Sequence, residues 1–227
     1  MCTVMDDYEV GTDGDESRRV QTAGWSADGQ VDWYLNRIGG LAPRLAGEEV
    51  LRSILPPSPK SCLDLGCGDG RLTDLALDAC PSLDRVLAVD NSPAMLERAR
   101  ARFQGDRRVE VAEWHLDTPI TPLGRFDLVV AGFAIHHVED ARKYSLFQEI
   151  ALQLEPGGRF ANLEVVASAT PELHAEFLSL IGRVADDPAD RLRDVESQLQ
   201  WMRAAGFIQV DCVWRWRGFA LLIGSAP

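Results

Sequence analysis

At 227 residues, 46% apolar and 26% charged, the chain has the make-up of an ordinary globule with one sizeable core. Its net charge of −12 argues against the basic surface that a nucleic-acid binder needs to neutralise phosphates, so no nucleic-acid partner is expected. No apolar run reaches the roughly 18 residues that a membrane span needs, so no membrane partner is expected either.

Residues 1–20 are acidic, glycine-rich and nearly free of core residues, and a disordered tail is expected there, followed by one domain over 21–227. The opening stretch also lacks the basic start and apolar run of a secretion signal, which leads to the expectation of a cytoplasmic protein. From about 25 to 55 apolar residues recur at helical spacing: Val31, Tyr34, Leu35 and Ile38, then Leu45, Val50, Leu51 and Ile54. Gly39-Gly40 and Pro43 divide this region into two helices, and Pro56-Pro57 closes the second.

After Pro59 the pattern alternates. SCLDL (61–65), RVLAVD (85–90), RVEVAE (108–113), FDLVVAG (126–132) and RFANLEVV (159–166) read as strands. Helices separate them, one running to about Ala79 and one from Ser92-Pro93 to about Phe103. Another runs from an Asp140 cap to about Leu154, with a turn at Pro156-Gly157-Gly158. Such alternation means βαβ units and a parallel sheet, whose ligands bind beyond the carboxyl ends of the strands. Helices fill an insertion over about 167–200 and run on to Gly206. FIQVDCVWRW and GFALLIG are joined so tightly that they must run antiparallel. The five cysteines include no CxxC pair, so neither a disulfide framework nor a zinc knuckle is expected; Cys62 and Cys67 read as small buried hydrophobes. Arg98, Arg100, Arg102, Arg107 and Arg108 have the spacing of a solvated helix face and end.

The most informative segment is LDLGCGDGR (63–71). Gly66, Gly68 and Gly70 stand between a strand and a helix, where the chain must turn sharply and a ligand must approach bare backbone. Dinucleotide-binding proteins use a similar loop, with glycines spaced GxGxxG; here the position for the third glycine is Arg71. Asp64 precedes the loop, where a carboxylate repels a pyrophosphate and suits a cationic ligand. Asp90 ends the next strand and can accept hydrogen bonds from both hydroxyls of a ribose. Either aspartate could instead be a helix cap.

LDLGCGDG, AVDNSPAML, FDLVVAGFAIHHVED and LEPGGRF, in this order and spacing, resemble the sequence blocks of Rossmann-like (class I) S-adenosylmethionine-dependent methyltransferases. AAGFIQVDCVWRWRGFALLIG is similar to their terminal hairpin. The resemblance covers about residues 45–165 and 200–225. It implies a doubly wound, mostly parallel α/β sheet of seven strands with a C-terminal antiparallel hairpin, and S-adenosylmethionine as cofactor. Carried onto this sequence, it implies Asp64, Gly66 and Gly68 around the methionine part and Asp90 at the ribose. Asn91 and Met95 would lie beside the adenine, and the Ala131 carbonyl would border the methionine amine. His115 stands where an aspartate is usual, with Leu116 offering its backbone N–H, so either His115 contacts the adenine or a loop shift brings in Asp117. Tyr34, with Trp33 and Arg37, would sit in an N-terminal lid helix or else pack in the core.

Methyl transfer from a sulfonium is an in-line displacement with a neutral leaving group, so positioning carries most of the catalysis. A base matters only for an acceptor that must lose a proton. His136 is the candidate base, beside His137, although a structural role fits the pair as well. Glu164 is a further polar candidate, and His174 lies in the insertion. Phe177, Leu178 and Ile181 line either a pocket or the core, and Trp214 and Trp216 read as sheet packing or a dimer contact. The acidic charge and the short insertion favour a small-molecule acceptor. AGFAI stands where amino-methylating relatives carry (N/D)PP(Y/F), which points to oxygen or carbon as the acceptor atom. A non-catalytic or atypical S-adenosylmethionine-binding protein is the alternative, and monomer and homodimer both remain open.

Overall fold

The computed structural model describes residues 40–227. The expected disordered tail and the expected first lid helix, with Trp33, Tyr34 and Arg37, lie outside the described residues. SCLDL is apolar on both faces and forms β1 (Ser61–Leu65), buried from Cys62 onward. A strand with two apolar faces belongs inside a sheet. β2 (Arg85–Asp90) and β4 (Phe126–Gly132) flank it, both parallel to it. β3 (Val109–Glu113) adds to β2, and β5 (Leu154–Val165) adds to β4. β7 (Phe219–Ser225) then runs antiparallel to β5 and to β6 (Ile208–Trp216), giving seven strands in the order β3-β2-β1-β4-β5-β7-β6. The doubly wound α/β sheet with its closing hairpin is the expected fold. Its strand order reverses between β1 and β4, where sheets of this kind open a crevice.

Helices cover both faces. Leu51 of α1 (Ala42–Ile54), Leu72 and Leu75 of α2 (Arg71–Ala79) and Phe177 of α5 (Pro171–Leu180) share one apolar cluster with the sheet. Phe147 of α4 (Asp140–Gln153) and Leu199 and Met202 of α6 (Val195–Ala204) share the other. α3 (Pro93–Arg102) lies against β2 and β3. Ser92 caps it as expected, its hydroxyl accepting from the Met95 N–H at 3.4 Å. Arg100 and Arg102 stand exposed in its last turn.

Three expectations are corrected. Glu139, not Asp140, is the N-cap of α4, and Asp140 sits in its first turn. Pro156-Gly157-Gly158 does not precede β5 but lies inside it; the strand absorbs the turn by a register shift opposite Phe126 and Leu128 and a φ of 76° at Gly157. The second helix of the insertion begins only at Val195, because Asp194 is its cap, accepting the Ser197 N–H at 2.8 Å. Ahead of it the backbone is spoken for elsewhere: the Arg191 N–H donates to the His136 carbonyl at 2.7 Å.

Candidate cofactor and acceptor site

A cavity of about 210 Å³ opens at the carboxyl ends of β1, β2 and β4, the crevice that the strand order creates. The loop leaving β1 forms its floor. Gly66 has φ 71°, and a Cβ there would lie 2.3 Å from the Ala134 Cβ, so this turn is open to glycine alone. Gly66 and Cys67 donate their N–H groups to the Val89 carbonyl at 2.8 and 2.9 Å, stitching the loop to β2. Gly70, at φ 86°, starts α2 beneath the Phe103 ring, which a Cβ would meet at 2.4 Å.

Of the four described aspartates that line this cavity, Asp64, Asp69, Asp90 and Asp117, two stand near the ends of the central strands. Asp90 at the end of β2 is preset by backbone donors: the Gly68 N–H reaches Oδ2 at 2.9 Å and the Ser92 N–H reaches Oδ1 at 2.8 Å. Burial raises its pKa, against the pull of those N–H groups. Asp64, within β1, is fully buried. Its Oδ2 accepts from the Thr73 hydroxyl at 2.7 Å, while Oδ1 has no partner among the described residues. Burial therefore pushes its carboxyl up to about 7. A buried acid oxygen without a donor is costly, and it invites a cation from the cavity that Asp64 lines.

Residues 62–158 match the family model described as a methyltransferase domain. An uncharacterized methyltransferase of Mycobacterium bovis is 32% identical over 148 residues, 64% of this chain and 70% of that protein. The demethylmenaquinone methyltransferase of Clavibacter sepedonicus is 31% identical over 179 residues, 70% of each chain. The chain belongs to the class I S-adenosylmethionine-dependent methyltransferases. It is a methyltransferase whose cofactor is S-adenosylmethionine. An O-methyltransferase family protein from Burkholderia thailandensis shares the fold, with a TM-score of 0.69 at 20% identity over 93% of this chain; the chain spans 62% of that structure.

Most of the sequence-derived positions meet in this methyltransferase cavity. Asp64, Gly66, Gly68, Asp90, Asn91, Met95, His115 and Leu116 all line it. Asp117 lines it too, and the His115 Nδ1 accepts the Asp117 N–H at 3.3 Å, so both candidates for the adenine contact stand on the same wall. Ala131 is buried inside β4, and its neighbour Gly132 reaches the cavity instead. Tyr34 lies outside the described residues.

The histidine pair divides unexpectedly. His136, the candidate base, does not line the cavity; it is buried with Nδ1 2.5 Å from Glu164 Oε1 and Nε2 3.4 Å from Asp190 Oδ1. Burial opposes its charge, but Glu164 and Asp190 together raise its pKa. His137 lines the cavity, and burial followed by the neighbouring His136 pushes its pKa down to about 3. Glu164 accepts the His136 backbone N–H at 2.9 Å, so it braces this turn rather than facing the cavity.

The insertion's apolar residues resolve as core: Phe177, Leu178 and Ile181 are buried in the cluster around α1 and α2. Trp214 packs against Gly47 of α1, and Trp216 against the Phe177 and Phe219 rings, the sheet-packing reading. His174 turns to Asp186, with Nε2 2.9 Å from that carboxylate. Arg44 and Glu48 were not singled out from sequence. The Arg44 guanidinium lies over the Phe133 ring at 4.7 Å, and Glu48 joins Arg44 and Arg71 at 3.0 and 2.6 Å, tying α1 to the cavity rim. Their i,i+4 spacing is the one signal that could have found the pair.

Proposed function

We propose that the protein transfers the methyl group of S-adenosylmethionine to a small-molecule acceptor, at oxygen or carbon. The observation that carries this is the pair of carboxylates on one cavity, buried Asp64 with an unmatched oxygen and half-buried Asp90 held ready by loop N–H groups. The first suits the ammonium of the cofactor's amino-acid end, and the second suits two adjacent ribose hydroxyls. Asn91 and Met95, with His115, Leu116 and Asp117 opposite, would hold the adenine, and Gly132, next to Ala131, would border the amine. The sulfonium supplies an activated methyl group, and the chain's part is to orient it and to exclude water.

Several features support a small acceptor. The net charge of −12 disfavours a polynucleotide, and Phe133, Ala134 and Val138 give the cavity an apolar side. The name of the Clavibacter relative denotes action on a small molecule. His137, with its pKa near 3, is too weak a base to take a proton from an alcohol. That favours an acceptor arriving with its electron pair available, a carboxylate oxygen or an electron-rich carbon. The proposed setting is the cytoplasm, as a monomer or homodimer; the free thiols of Cys62, Cys67, Cys80 and Cys212 suit a reducing compartment.

The test is calorimetry with S-adenosylmethionine and its demethylated product, then turnover against a panel of carboxylic acids, phenols and quinols. Absence of heat for either nucleoside would overturn the reading. Binding without turnover across the panel would move it to a non-catalytic cofactor-binding module.

A further inference from the structure

The wall of the cavity beside His137 carries a cluster that the cofactor reading does not use. One donor atom from each of His136, His137 and Asp190 lies within 4.8 Å of the other two. His136 Nε2 is 3.4 Å and His137 Nδ1 is 3.5 Å from Asp190 Oδ1. Charge-assisted hydrogen bonds run at about 2.7–2.9 Å, so these separations are too long for them. They match the ~3.4 Å edge expected of tetrahedral coordination with bonds of about 2.1 Å.

The surroundings are those of metal-binding histidines. Glu164 takes the Nδ1 side of His136 at 2.5 Å and accepts the same residue's backbone N–H through its other oxygen. A carboxylate behind an imidazole fixes the tautomer and turns the second nitrogen's lone pair forward, here toward Asp190. The His137 ring also bonds the Ala189 backbone, which orients it beside Asp190. The neighbouring cations are engaged away from Asp190 Oδ1. Arg183 pairs with Asp190 Oδ2 at 3.7 Å, and the Lys143 ammonium bonds the Arg191 carbonyl and Asp140.

We propose that His136, His137 and Asp190 form a site for a divalent transition metal of the zinc class, with Glu164 as its positioning carboxylate. Two imidazole nitrogens and one carboxylate oxygen are the donor set of open, catalytic sites, which keep a further position for water or a substrate oxygen. His137 and Ala189 line the cavity, so the cluster stands at its wall, where an oxygen-bearing acceptor is the natural further ligand. The use of the metal in methyl transfer rests on the function proposed above; its binding does not.

The experiment uses the full chain, stripped with chelator and titrated with cobalt(II) while visible absorption is followed, then challenged with zinc. One equivalent per chain is expected, with the strong bands of low-coordinate cobalt, displaced by zinc. Asp190→Ala and His137→Ala should each weaken uptake at least tenfold, and Glu164→Gln by about 10–100-fold. Asp190→Asn covers the case in which the alanine variant fails to fold. His174→Ala, whose ring meets Asp186 outside the cluster, should change nothing. S-adenosylhomocysteine binding, measured on every variant, reports an intact fold. A protein that binds this nucleoside yet takes up no stoichiometric cobalt or zinc overturns the proposal, as does uptake that Asp190→Asn and His137→Ala leave unchanged. Metal uptake without nucleoside binding would support the metal site and overturn the cofactor reading instead.

Discussion

The loop between β1 and α2 and the segment between α5 and α6 border the same cavity, and they are held by different means. The first is fixed by backbone: glycines in left-handed conformation, N–H groups onto the Val89 carbonyl and the Asp90 carboxylate. The second, which carries Asp190, has the Arg191 N–H on the His136 carbonyl as a backbone tie but depends besides on side chains reaching across from other elements. Lys143 of α4 holds the Arg191 carbonyl, Glu139 holds the Arg191 guanidinium at 2.7 Å, and His136 and Arg183 face Asp190. A backbone-built wall tolerates almost no substitution where glycine is required. A side-chain-built wall can exchange its partners one at a time, which suits the side of a cavity that has to match an acceptor.

The largest effect should fall on the backbone wall. Gly66→Ala combines a left-handed strain with a collision against Ala134; it should cost about 2–4 kcal/mol of stability and more than about 100-fold in cofactor affinity, read by melting and calorimetry. An alanine variant with native affinity would break the contrast. Asp64→Asn removes the charge meant for the ammonium and should weaken cofactor binding by about 2–3 kcal/mol. Its pH signature is distinct. The carboxyl titrates at about 7 in the empty protein instead of 3.8, so its stabilising contribution is full below the unfolded value and is lost as pH rises through about 7. Cofactor affinity, which needs the ionised form, should climb over that same interval, and Asp64→Asn should flatten both curves. A pH-independent affinity in the parent protein would remove Asp64 from the ammonium.

Asp90→Ala should weaken the cofactor by about 1–3 kcal/mol, since two loop N–H groups, and the ribose hydroxyls of the proposed pose, lose their acceptor. The smallest effect is expected on the other wall. Arg191→Ala deletes an exposed guanidinium that pairs with Glu139 and donates to the Pro188 and Asp190 carbonyls; it should change stability by about 1 kcal/mol, with the cofactor dissociation constant unmoved. A loss there as large as at Gly66 would mean that the two walls are not built differently after all.

The same contrast governs how much was readable in the chain. The glycine loop, Asp64 and Asp90 were legible because their chemistry is local: strand, turn and helix follow one another within about 30 residues. The strands themselves were legible as apolar runs or alternations, whereas the seven-stranded, doubly wound arrangement was legible only through the resemblance of the sequence blocks. What escaped depends on contacts distant in sequence. Asp190 gives no local signal; it meets His136 and His137 only because the chain ahead of α6 is drawn onto α4 instead of coiling. The helical pattern of 188–194 accordingly misled, since Asp194 caps the helix and competes with an earlier start. His136 drew attention over His137 because adjacency in sequence does not tell which ring of a pair looks into a cavity. Arg44 was hidden likewise, its place over Phe133 being set by how α1 lies across the sheet.

An unsatisfied acid at the heart of the sheet has a consequence for the protein's lifetime. Any nucleoside that quiets Asp64 Oδ1 is bound by the folded chain alone, so its concentration enters the folding balance directly, adding about 2.7 kcal/mol at a hundredfold excess over the dissociation constant. The methyl donor and its spent product thereby act as conformational guardians, and resistance to heat and proteolysis should rise and fall with their supply.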